Sequence, residues 1–176
     1  MTVKHNVYKK LALLNSLPAA DAEAAFLDCC GSREWARRMT ASRPFPMLGH
    51  MFHKAAEIWF SLSVADYLEA FAAHPKIGSS KRAAAQNKRA ATWSRGEQTA
   101  TRKGDRAVSG RLAEVNSLYE NKFGFIFIVC ATGRSAEEIL AIAEARLGNS
   151  LKTEMQLAAE EQHKITELRL AKLLEE

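Results

Sequence analysis

The run FGFIFIVCA, residues 123–131, decides the fold. It is aromatic and β-branched, and by composition it scores as a buried strand. A strand needs a sheet to join, and no second convincing strand run occurs in the 176 residues. Two readings stay open: a short extended segment walled in by helices, or a helical apolar run. The first leaves backbone groups to spare. Buried peptide donors and acceptors need partners, and a bound polar ligand can be one of them.

Outward from this run, the chain reads as helices with short joints. Asp21 is expected to cap a segment carrying Phe26, Leu27 and Cys30, which Gly31 ends. A short piece around Trp35 follows, then the turn-like SRPFP, residues 42–46. Met47, Leu48, Met51, Ala55, Ile58 and Trp59 are spaced for a helix packed on one face over 47–60. Ser63 stands three before Asp66, a relative of the capping box, and Tyr67, Leu68 and Phe71 give the next helix its buried stripe. That helix should stop at His74, because Pro75 removes a donor and pushes the preceding residue out of the helical region. Ser80 to Ala91 reads as a helix or a mobile crossing, and a long helix is expected from about Arg95 towards Tyr119, weakened by Gly104 and Gly110. Ser135 and Glu138 form a capping box for 136–147, with Gly148 and Asn149 where a C-cap belongs. The last helix, about 151–173, sets Met155, Ala158, Gln162, Ile165 and Arg169 at steps of three and four. With no repeat, linker or low-complexity tract, the expectation is one compact, multi-helix, all-α domain over residues 1–176.

Composition agrees. Apolar residues make up 47% of the chain, a globular value, and the length suffices for a core without disulfide or metal staples. Cys29, Cys30 and Cys130 make no CxxC pair, which fits small buried residues in a reducing compartment, so a cytoplasmic location is expected. The opening MTVKHNVYKKLALLNSLP has too short an apolar stretch for a signal peptide and reads as a lead-in helix. No 18-residue apolar run exists to span a membrane, and the final Leu174, Glu175 and Glu176 do not form a peroxisomal address. The net charge of +5 is local: residues 81–111 hold nine of the 25 basic residues against Glu97 and Asp105 alone. Such a patch can bind nucleic acid, steer an anionic substrate or solvate a surface. Only Trp93 interrupts it, which argues against a stacking platform for single strands.

Most catalytic signatures are missing. The histidines are His5, His50, His53, His74 and His163; HMFH is not HExxH, and no metal site is expected. There is no Walker loop, no GxGxxG after a strand and no GxSxG. Two stretches remain. FAAHPKIGSS, residues 71–80, puts the ionisable ring of His74 at a hinge, which is also where a purely structural histidine sits. In WSRGEQ, residues 93–98, Ser94 can cap a helix with Glu97 reaching back, but Gln98 has no capping job.

HPKIG, SRGEQ, LAEVNSLYENKFGFIFIVCATG and ILAIAEARLGNSLKTEMQLAAEEQHKITELRL, in this order, resemble the 2-oxo-4-hydroxy-4-carboxy-5-ureidoimidazoline (OHCU) decarboxylase family. The early LLNSLP and the Trp35, Arg43, Pro44, Phe45 region add to the likeness, which spans nearly all of the chain. The resemblance implies an all-helical, cofactor-free, homodimeric lyase of purine degradation that completes urate breakdown to (S)-allantoin. It implies His74 and Glu97 as catalytic residues and Pro75 as pocket wall. Ser94 and Gln98 become substrate contacts, as do Phe127, Ile128, Val129, Cys130 and Ala131 through their backbone, and Arg169 becomes a cationic anchor. Partners would be the small-molecule substrate and a second copy, with no nucleic acid and no membrane. Two departures stand out: the family usually has proline where this chain has Ile126, and the joint after HPKIG is longer and more basic. The rival readings are a non-catalytic helical interaction domain and a nucleic-acid-binding module using residues 81–111.

Overall fold

The computed structural model describes residues 2–77, 88–98 and 106–175. The helices are α1 (Thr2–Ser16), α2 (Ala19–Cys30), α3 (Arg33–Ala41), α4 (Leu48–Phe60), α5 (Val64–Ala72), α6 (Lys88–Glu97), α7 (Arg106–Phe123), α8 (Ala136–Arg146) and α9 (Leu151–Glu175). No strand occurs among the described residues. The fold is all-α. The chain divides into two units, Met1–Glu69 with His163–Glu176, and Ala70–Gln162.

The first unit is built round aromatic edges. Phe26 meets Trp35 and Phe45 in T-shaped contacts at 6.0 and 6.2 Å, beside the buried Met39, Met51, Ile58 and Trp59. Pro18, not Asp21, stands at the start of α2, since the amide of Ala22 already bonds Pro18 O at 3.0 Å. Asp21 therefore falls in the first turn, where its charge complements the helix dipole without capping. Gly31 ends α2 as expected: at φ 87° its amide reaches Leu27 O, a left-handed turn that a side chain would strain. Ser32 caps α3 by accepting from Trp35 N, and Trp35 Nε1 ties α3 to α4 through Ala55 O at 3.0 Å.

LLNSLP and SRPFP, far apart in sequence, lock together. Asn15 Nδ2 donates to Phe45 O and Phe45 N donates to Asn15 Oδ1, both at 2.9 Å, so one amide side chain reads a backbone as a strand would. Arg43 Nη1 donates to Leu14 O and Leu17 O and closes the end of α1; the Arg43–Pro44 bond is cis. Ser63 and Asp66 cap α5 reciprocally. The stripe of α5 differs from expectation: Leu68 is exposed, because Tyr67 packs on Trp59 at 4.5 Å and turns the next residue outward, while Ala70 and Phe71 are buried.

In the second unit the 123–131 run resolves. Phe123 completes α7, Gly124 turns out of it at φ 79° with its amide on Glu120 O, and residues 126–131 are neither helix nor strand. Phe125 and Phe127 pack on Tyr119 at 5.8 and 5.2 Å, and Phe125 also meets Phe71 at 5.4 Å. The expected helix from Arg95 to Tyr119 is not one element. Arg95 belongs to α6 and α7 begins at Arg106; residues 99–105 lie outside the described residues, as do 78–87 of the alanine-rich stretch. The Ser135–Glu138 capping box is complete, but α8 ends through Leu147 in a right-handed conformation and Gly148 supplies no left-handed cap.

Candidate active site

His74 sits where the sequence stops α5. Its amide closes a last turn onto Phe71 O at 3.0 Å, and Pro75 prevents a further one. The hinge is held from α7 by Asn116 Nδ2 donating to Ile77 O at 3.0 Å and by the Lys76–Glu120 ion pair. Nε2 of the half-buried ring lies 2.7 Å from Oε1 of Gln162, a fully buried residue of α9. The two atoms are at hydrogen-bond distance, with the donor set by the imidazole tautomer.

One residue before Gln162, Glu161 grips the run that has no sheet. Cys130 N donates to Glu161 Oε2 at 2.7 Å, Arg134 Nε donates to Cys130 O at 3.2 Å, and Arg146 Nη1 donates to Ile128 O at 2.8 Å. Side chains thus pair backbone groups that a neighbouring strand would pair in a sheet. Arg146 is itself fixed. Its Nε donates to Glu154 Oε1 at 2.7 Å, its Nη2 pairs with the same oxygen, and its guanidinium covers the Phe127 ring at 4.8 Å. Tyr119 also donates to Glu154, and Asn149 Nδ2 reaches its other oxygen at 2.8 Å. Burial first, and the Glu154 carboxylate second, hold the Tyr119 phenol well above its ordinary range, so it remains a donor.

Ser94, Glu97 and Gln98 lie at the end of α6, not at a start, so Ser94 is not its N-cap. Ser94 and Gln98 are buried, Glu97 is half-buried, and Gln98 N bonds Ser94 O at 3.2 Å. Burial raises the Cys130 thiol, and after it the carboxylates of Glu161 and Glu97 push the same way. Of the residues expected from sequence, His74 and Cys130 meet adjacent residues of one α9 turn, and Glu97 is within electrostatic reach of Cys130. Arg169 lies in the first unit, buried and within electrostatic reach of Cys30, whose thiol burial pushes up to about 12. Pro75 is half-buried beside His74.

Glu161, Arg146, Glu154 and Asn116 were not singled out by sequence. The signal for three of them was charge at apolar-periodic helix positions or beside a motif; only their partners were missing. Among the described residues no group of three or more His, Cys, Asp or Glu could hold a metal, and His50 and His53 are exposed on α4. Of the basic stretch, Lys88, Arg89, Arg95, Arg106 and Arg111 are described and exposed, and Arg111 pairs with Glu114 and Glu144. No helix of the described residues is long and apolar enough to cross a membrane.

Comparison with known proteins places the chain in a family. The sequence profile of OHCU decarboxylase matches residues 15–171. The uric acid degradation bifunctional protein TTL of Arabidopsis thaliana is 42% identical over 146 residues, 82% of this chain and 45% of its own. The 2-oxo-4-hydroxy-4-carboxy-5-ureidoimidazoline decarboxylase of Amia calva is 40% identical over 84 residues, 47% of this chain and 48% of its own. A crystal structure of OHCU decarboxylase in the presence of (S)-allantoin superposes with a TM-score of 0.74 at 40% identity, covering 86% of this chain and 97% of that one. The chain spans about half the length of these two curated relatives. It belongs to the OHCU decarboxylase family.

Proposed function

We propose that this protein is a lyase that decarboxylates OHCU to (S)-allantoin, the last step of urate breakdown in purine degradation. The observation that carries the reading is the α9 turn at Glu161 and Gln162, which holds the His74 imidazole and the Cys130 amide with neighbouring side chains. An acid-base ring and a backbone edge fixed side by side suit a small polar ligand.

The chemistry asks for orientation and proton handling. When CO₂ leaves C4, its bonding pair is accepted by the neighbouring C5=N bond, and the ring nitrogen takes up one proton. The 4-hydroxyl then becomes a carbonyl as a proton reaches C5. The substrate contains its own electron sink, so no cofactor is needed. His74 moves the hydroxyl proton. Glu97 orients the ring or accepts from ureido N–H groups, and Gln98 offers a donor and an acceptor to the same amide-like group. Ser94, Pro75 and the backbone of Phe127, Ile128, Val129, Cys130 and Ala131 complete the substrate contacts. Arg169 is the fork for a carboxylate or ring carbonyl. The whole of residues 1–176 acts as one domain, in a cytoplasmic homodimer whose partner otherwise is substrate alone, without nucleic acid or membrane. Sedimentation at micromolar concentration tests the dimer, and a strict monomer would remove it.

Freshly generated OHCU, followed by chiral analysis of the product, tests the activity. The expected result is (S)-allantoin formed faster than spontaneous decay, which gives racemate. His74→Ala should lower turnover by about 10²- to 10⁴-fold with the helical spectrum intact. Racemic product at the uncatalysed rate from folded protein would end the proposal.

A further inference from the structure

We infer that Gln162 is a positioning residue that fixes His74 as the Nε2–H tautomer, so that its proton exchange with substrate runs through Nδ1; this rests on the decarboxylase reading above. Gln162 Oε1 lies 2.7 Å from Nε2, and Gln162 has no exposed surface. A buried amide oxygen is costly to leave without its hydrogen bond, so the ring keeps the tautomer that satisfies the amide. The group that meets Nε2 at 2.7 Å is neutral. Its neighbour in the helix, Glu161, accepts from Cys130 N with one carboxylate oxygen. A carboxylate on Nε2 would favour the imidazolium; an amide orients the ring and selects the tautomer without adding a full charge.

The proton step follows. Nδ1 takes the 4-hydroxyl proton while the O–H bonding pair becomes the C4=O π bond. The displaced C4=C5 π pair forms the new C5–H bond with a proton that the imidazolium returns from Nδ1. The ring ends neutral, with Nε2–H never broken. Gln162 touches no reacting atom in this scheme.

The test is nitrogen NMR of protein labelled at histidine, with His74→Gln identifying the His74 signals. Above the imidazole titration, Nε2 should be pyrrole-like and Nδ1 pyridine-like. The opposite pattern in the wild-type protein would overturn the inference without any variant. Gln162→Met keeps side-chain length and removes the acceptor; it should give a mixed or reversed tautomer. Its kcat should fall about 10²-fold, the cost of a misplaced catalytic group, with KM nearly unchanged. If Gln162→Met kept both the Nε2–H pattern and kcat, Gln162 would not be the cause. Should that variant not fold, the wild-type spectrum decides alone. A wild-type protein with the expected tautomer but no turnover of OHCU would overturn the decarboxylase reading and leave the tautomer assignment standing.

Discussion

Glu154 has no exposed surface, and the Arg146 guanidinium that meets it also donates to Ile128 O. A buried ion pair is weak support for stability by itself, because desolvation offsets the attraction. Here the pair has a second consequence: it holds an arginine rigid enough to serve as the missing strand for residues 127–131.

Removing one partner should therefore be severe. Glu154→Leu leaves a buried guanidinium unpaired and should cost about 3–5 kcal/mol in urea unfolding. The double variant Arg146→Met, Glu154→Leu removes both charges and should recover much of that loss. It should still speed amide exchange across residues 127–131, since Ile128 O has lost its donor. Equal losses in the single and double variants would contradict the argument.

Asn15 should be the most sensitive polar position of LLNSLP. Asn15→Ala abandons both backbone groups of buried Phe45 and should cost about 1–3 kcal/mol. Ser16→Ala, one residue on and exposed, should stay within about 0.5 kcal/mol. Chemical denaturation of the two variants makes the comparison.

Cys30 gives the first unit an alkaline weakness. Its thiol pKa is raised from 9.0 to about 12, chiefly by burial. A group whose folded pKa is raised lends stability that is intact below its unfolded pKa and lost as pH climbs towards the folded one. Stability should thus fall between pH 9 and about 12, at up to about 1.4 kcal/mol per pH unit from this group. Cys30→Ala starts less stable through lost packing but should show a shallower slope above pH 9. Identical slopes would assign the alkaline loss to other groups.

How much of this was legible beforehand depended on distance along the chain. The Gly31 stop, the Ser135–Glu138 box and the face of α9 are local patterns, and they appear where their periodicity puts them. The absence of a strand at 126–131 followed from the lack of a partner run. Ser94 misled because a serine three before a glutamate looks the same at either end of a helix; the start at Lys88 lies upstream, in a stretch without apolar rhythm. Leu68 misled because hydrophobicity does not say which neighbour fills a face. The pairs His74–Gln162, Cys130–Glu161 and Arg146–Glu154–Tyr119 were invisible, since one sequence carries no record of which distant side chains meet.

Exhaustive chelation should leave turnover unchanged. The proposed reaction places its electrons in the substrate's own C=N bond, and no His, Cys, Asp or Glu cluster among the described residues is arranged for a cation. Loss of activity restored by one stoichiometric metal would refute this.

Helix α9 also dictates timing. His74 waits 88 positions for Gln162, and Cys130 waits 31 for Glu161. Each unit contains part of α9, Leu151–Gln162 in one and His163–Glu175 in the other. A ribosome emits this helix after the residues it pairs with, so neither unit can finish folding on a nascent chain that stops short of it. Ribosome-tethered chains ending before residue 150 should leave the His74 hinge open to protease. Release of the remaining helix should close it.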